Sequence, residues 1–200
     1  MTYVVLDIGA GSRAFGMDFR AMNPKTPMLV LYGEPQWGLG PFFKPLRPEQ
    51  VPRLIQSGAT GVKRIISEFS SFAVPDESLN LVTLNSPHPF DIVFFGRFSH
   101  ELQRCLKPGG LCFSSYSKFD MARVPESFLK LSHGRWAQRT AHIEIDSALL
   151  PTNTPNRFPQ SFTLESNIRA HRSRDRDSFS SSYIYHDGIS PGWCLWQKPV

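Results

Sequence analysis

Apolar residues along this chain come in short, nearly continuous runs that alternate with stretches spaced at helical period. That alternation is the sequence form of a parallel sheet covered on both faces. The run "YVVLD" (3–7) is β-branched and almost unbroken, and it predicts a central strand. Behind it, Ser12 is placed to cap a helix whose apolar positions Phe15, Phe19 and Met22 follow i, i+4, i+7 spacing, and "NPKTP" ends that helix. "MLVLY" (28–32) predicts a second strand. A loop rich in glycine, proline and aromatic residues follows it, and then a helix around 49–57. "VKRII" (62–66) and "LNLVTLN" (79–85) read as strands three and four. From Ile92, the residues Phe94, Phe98, Leu102 and Leu106 line one helical face, and "KPGG" (107–110) supplies a stop and a turn before a fifth strand, "LCFSSY" (111–116). In the last third, "RTAHIEID" (139–146) reads as a strand, "PTNTPNRFPQ" as a loop, and "GWCLWQKPV" as a closing edge or hairpin strand.

Size and composition narrow the setting. Two hundred residues with 40% hydrophobic content suffice for one globular domain with a substantial core, so residues 1–200 are expected to form a single unit. The net charge of +5 is mildly basic but dispersed. Its densest cluster, "RAHRSRDRD" from 169, interleaves Asp175 and Asp177 with the arginines, which suits a solvated loop better than a nucleic-acid stripe. Cys105, Cys112 and Cys194 are far apart and form no metal-binding pair, so neither a zinc site nor a disulfide framework is expected, and a reducing, cytoplasmic setting is. No basic leader precedes "YVVLD" and no apolar stretch is long enough for a membrane span, so no membrane association is expected.

The stretch "VVLDIGAGSRAFG" carries the candidate chemistry. Gly9, Gly11 and Ala14 fit the pattern G-x-G-x-x-G/A between a predicted strand and a predicted helix, and Glu34 lies where a second strand delivers a carboxylate to ribose hydroxyls. Asp7 discriminates among nucleotides. A carboxylate two residues before the first glycine would face a pyrophosphate at short range, and like charges at about 4 Å cost roughly 4 kcal/mol at an effective dielectric of ~20. A nucleoside carrying a positive charge and no phosphate, such as S-adenosyl-L-methionine with its sulfonium and ammonium, is attracted instead.

Three blocks in order resemble the class I S-adenosylmethionine-dependent methyltransferases of the type 11 kind. "VVLDIGAG" is similar to their first glycine-rich motif, "VKRIISEFSSFAVPDESLNLVTLN" to their acidic residue, loop and "PD-x-S-F-D-L-V" segment, and "ELQRCLKPGGLCFSS" to the "LKPGG" turn leading into strand five. The resemblance implies a Rossmann-like α/β fold, a mostly parallel sheet with helices on both faces and an antiparallel C-terminal strand. It further implies a cofactor half at about 1–116 and a substrate half at about 117–200. By the same resemblance Gly9, Ala10 and Gly11 approach the methionine part of the cofactor, with Asp7 near its cationic amine. Glu34 takes the ribose hydroxyls, Pro35 lies against the adenine, Glu68 accepts from the exocyclic amine, and the Phe69 amide meets a ring nitrogen. Two residues depart from the pattern: Arg13 replaces its third glycine and Asn80 an aspartate common in strand four. The motif begins at residue 4, so the cover of the pocket is expected from "PQWGLGPFFKP" (35–45) or from a second copy in a homodimer, or else the pocket stays open.

Methyl transfer from a sulfonium is an in-line displacement that needs alignment, dryness and a proton acceptor. The loop after strand four, "NSPHPF" (85–90), is where these are expected. Asn85-Ser86-Pro87-His88 resembles a degraded N-P-P-Y motif of amino-group methyltransferases, which implies Asn85 as an amide acceptor at the cofactor, Pro87 as a substrate contact and His88 as a planar ring or catalytic base. Tyr116 and Asp120 follow strand five, while His133 and His142 lie further on as other candidate bases. The expected function is methylation of an oxygen or nitrogen on a small molecule. Two alternatives stand beside it: a chain that kept the fold and lost methylation, and a nucleic-acid methyltransferase.

Overall fold

The computed structural model describes residues 1–8, 15–34, 44–67, 71–84, 95–114, 124–135, 142–159 and 192–200. Its centre is a seven-stranded sheet. In chain order the described elements are β1 (Tyr3–Ile8), α1 (Phe15–Met22), β2 (Met28–Glu34), α2 (Gln50–Gln56), β3 (Gly61–Ile66), β4 (Leu79–Leu84), α3 (Phe95–Cys105), β5 (Leu106–Ser114), β6 (Leu129–Arg135), β7 (His142–Glu144), a 3-10 turn (Ser147–Leu149), β8 (Arg157–Pro159) and β9 (Gly192–Gln197). The sheet runs β3-β2-β1-β4-β5-β9-β6, and β7 pairs with β8 in a separate ribbon. Strands β1 to β5 are parallel, and β9 is antiparallel to both β5 and β6.

Period-2 alternation on buried strands divides the core in two. Val4, Leu6 and Ile8 of β1 pack with Val51 of α2 and with Phe98 and Leu102 of α3 on one face. Tyr3 and Val5 pack with Phe15 and Phe19 of α1 on the other, together with Phe113, Phe158 and Trp193. Helices therefore cover both faces, with the β7–β8 ribbon extending the α1 layer. Stacked rings mark that layer: Phe113 lies 5.1 Å from Phe15 and 5.0 Å from Phe158.

Three sequence expectations need correction. "GWCLWQKPV" is no edge strand; β9 sits inside the sheet between β5 and β6, where Cys194, Leu195 and Trp196 are buried. The loop "PTNTPNRFPQ" contains β8, which antiparallel pairing with β7 holds in place. "KPGG" does turn, but inside β5: Leu106 faces Leu79 and Leu111 faces Leu81, so residues 107–110 oppose Asn80 alone. Gly109 takes φ 74° in this bulge, which suits glycine. Asn80, the departure in strand four, serves it. Its Oδ1 accepts from the Val4 amide at 3.0 Å and from Lys107 Nζ at 3.2 Å. The edge strand β6 had no counterpart among the expected elements.

Among the described residues, no helix is long and apolar enough to cross a membrane.

Candidate functional site

Parallel strands β1 to β5 deliver their carboxyl ends to one rim of the sheet, where open α/β folds bind ligands. Register fixes the level of that rim. Ile8 aligns with Gly33 and Leu84, Leu84 with Ser114, and Glu34 with Ile66. Each loop leaving this rim begins at or just beyond these positions. Gly9, Ala10, Gly11, Pro35, Glu68, Phe69, Asn85, Pro87, His88 and Tyr116 lie outside the described residues, as do Arg13 and Asp120.

Asp7 is the best-defined member. It follows Tyr3 and Val5 on the α1 side of β1, and it is fully buried there. Its Oδ2 accepts a 2.7 Å hydrogen bond from the backbone amide of Gly16, in the first turn of α1. Its Oδ1 accepts a 2.7 Å bond from the hydroxyl of Thr83, its direct register partner on β4. The carboxylate thus answers the unpaired amides and partial positive charge at the start of α1. The helix lies close over it. A Cβ at Gly16 would come 2.5 Å from Val30 Cγ1 and 3.2 Å from Asp7 Oδ2. Close helix–strand approach, which the third glycine of a dinucleotide fingerprint provides, is made here at Gly16.

Glu34 ends β2 opposite Ile66, so its backbone stands at the rim beside the segment that leads to Glu68. Gly33, one step earlier, admits Ser67, whose Cβ lies 3.1 Å from where a Cβ at Gly33 would sit. The Ser67 hydroxyl is buried and finds no hydrogen-bond partner among the described residues. A buried hydroxyl without a partner costs about 1–3 kcal/mol, and a polar ligand at this rim would relieve that cost.

The alternative bases fall elsewhere. His133 shares the level of the rim, opposite Cys194, but is exposed on edge strand β6, three strand spacings or roughly 14 Å from β4. His142 belongs to the β7–β8 ribbon. The sequence reading passed over Thr83 and Gly16. Parity was the available signal, since Leu81 and Thr83 share the face of β4 that Val5 and Asp7 share on β1.

The residues fit a positively charged nucleoside better than a diphosphate. In a dinucleotide site the pyrophosphate takes the amino end of the helix after β1; here Asp7 already supplies negative charge at that end. The buried Ser67 hydroxyl, without a partner among the described residues, adds donor and acceptor capacity at the same rim.

A central order β3-β2-β1-β4-β5 extended by an antiparallel strand and then by β6, with the ligand rim at the parallel carboxyl ends, defines the class I methyltransferase fold. This chain has that fold. It is similar to the (4+2)-cyclase SpnF at TM-score 0.54 with 14% identity, over 100% of this chain and 75% of that one. It is also similar to phosphoethanolamine N-methyltransferase 2 of Haemonchus contortus, solved with phosphomonomethylethanolamine and S-adenosylhomocysteine, at TM-score 0.50 and 13% identity. That match covers 100% of this chain, which spans about half (49%) of the larger protein. No protein-family model matches the sequence, and no curated protein matches it.

Proposed function

We propose that this protein binds S-adenosyl-L-methionine and transfers its methyl group to an oxygen or nitrogen of a small molecule. The observation that carries this reading is the Asp7 carboxylate at the start of α1, within 2.7 Å of the Gly16 amide. It places negative charge at the start of α1, which repels a diphosphate and favours a cation. The cofactor supplies an electrophilic methyl on a sulfonium.

The chain's own residues take the remaining roles. Gly9, Ala10 and Gly11 present backbone to the methionine part, above Asp7. Glu34 accepts from the ribose hydroxyls. Pro35 lies along the adenine, while Glu68 and the Phe69 amide read its edge. Asn85 and the Pro87 carbonyl hold the acceptor atom in line, Tyr116 borders the acceptor, and His88 takes its proton at a ring nitrogen. Residues up to about 116 form the cofactor half and residues from 117 the substrate half of one domain. The protein acts in the cytoplasm, with the 35–45 segment or a second copy in a homodimer as cover.

Calorimetric titration with S-adenosylhomocysteine tests the cofactor; saturable heat is expected, and no heat from folded protein at millimolar ligand sinks the reading. Recovery of a labelled methyl on a small-molecule acceptor tests the transfer. A second reading, a catalyst on this fold that does not methylate, is favoured by the likeness to a (4+2)-cyclase. Cofactor binding with no labelled product from a broad acceptor panel selects it.

A further inference from the structure

Among its partners, the Asp7 carboxylate is held by α1 and by β4. Gly16 N–H donates to Oδ2 from α1, and Thr83 Oγ1 donates to Oδ1 from β4, each at 2.7 Å, with Thr83 itself 1% exposed. Thr83 stands one residue before the end of β4, whose following segment, from Asn85, carries the proposed acceptor-holding residues. The same side chain therefore joins the strand that launches the substrate loop to the helix that closes the cofactor loop. A hydroxyl that donates to a carboxylate fixes which rotamer the carboxylate adopts, because rotation about χ2 would break two charge-assisted bonds at once. Valine in its place would keep the shape and the β preference and remove only the bond.

We infer that Thr83 is a positioning residue for the cofactor site, holding the Asp7 carboxylate against the start of α1. This rests on the cofactor reading above, but its central link, Thr83 to Asp7 to Gly16, can be read without any ligand. In Thr83→Val, peptides spanning residues 7 to 16 exchange amide hydrogens faster than in the wild type, while Thr83→Ser, which keeps the donor, restores slow exchange. Should the valine variant fail to fold, Thr83→Ala is read in the same way against the serine variant. Binding supplies the second measurement. S-adenosylhomocysteine, whose amino-acid part reaches the glycine turn, binds about tenfold more weakly to Thr83→Val, the equivalent of one lost net hydrogen bond. 5′-Methylthioadenosine, which lacks that part, binds all variants alike.

Unchanged exchange in folded Thr83→Val overturns the inference whatever binds. Equal loss for both ligands overturns it too, since that marks a general loosening of the fold. Faster exchange in a protein whose wild type binds neither ligand supports the link to Gly16 and defeats the cofactor reading.

Discussion

At the scale of single residues, the site is defined by what α1 rests on. A glycine in a helix ordinarily costs about 0.5–1 kcal/mol relative to alanine. Gly16 inverts that expectation, because a methyl there would enter Val30 Cγ1 at 2.5 Å, and Val30 is fully buried. Overpacking of this kind costs about 1–3 kcal/mol, more than alanine's helix preference returns. Gly16→Ala is therefore expected to lower unfolding stability by about 1 kcal/mol in urea and to weaken S-adenosylhomocysteine binding through displacement of Asp7. Equal or higher stability would show that the helix can lift away without cost. The sequence singled out Asp7 and its negative charge, since charge is legible from residue type. It did not reveal that the carboxylate looks inward to Gly16 and Thr83. That follows from the parity of β1 and β4 in register, which a single strand cannot display.

Among elements, α3 shows how a charged residue comes to be buried. Its apolar stripe, Phe98 and Leu102, was readable from helical spacing and lies in the core. Glu101 sits beside that stripe at 8% exposure because its Oε2 accepts from the Phe72 amide at 2.6 Å and from Arg104 Nη2 at 2.7 Å. Arg104 reaches on to the carbonyls of Phe72 and Val74, both at 3.0 Å, and to Asp76. Together they fasten the segment before β4 to the helix. Burial alone would raise the Glu101 pKa, but the hydrogen bonds from Arg104 and Phe72 and the nearby charges of Arg104 and His100 outweigh it, so the net shift is downward from 4.5. A depressed folded-state pKa contributes stability that is present above the unfolded value and is lost as pH falls through the folded one. Glu101→Gln should therefore be less stable than wild type near neutral pH, with the difference shrinking below about pH 4.5. Urea midpoints measured from about pH 7 down to about pH 3 check it; a gap that stays constant across that range would sink this account. Strands β1 to β5 were recoverable for the same reason as the α3 stripe, since buried parallel strands are continuous apolar runs. β6, "LKLSHGR", was not: an edge strand with one exposed side carries little hydrophobic signal.

For the whole molecule, the decisive element is the last one. β9 was legible as a strand from "WCLW", but its position was not, because sheet order is set by partners distant in sequence. It is the neighbour that β6 pairs with, and it carries β5's outer edge. Trp193, Cys194, Leu195 and Trp196 are buried in the two core layers. Lys198 continues the seal: its buried ammonium donates to the Gln103 carbonyl at 2.7 Å and the Leu106 carbonyl at 2.8 Å, where α3 ends and β5 begins. A large buried apolar side chain contributes about 1.5–3 kcal/mol, so these residues together rival the roughly 5–15 kcal/mol that holds a whole domain folded. Ending the chain at residue 191 is thus expected to abolish cooperative unfolding, leaving β6 without a strand partner and the rim beyond β5 open. A synthetic peptide of residues 191–200 added in excess should restore a sigmoidal urea transition, since strand addition reforms both ladders. If the shortened chain melts cooperatively by itself, the sheet is held by β1 to β5 alone, and β6 and β9 are an appendage to the fold where this topology makes them a part.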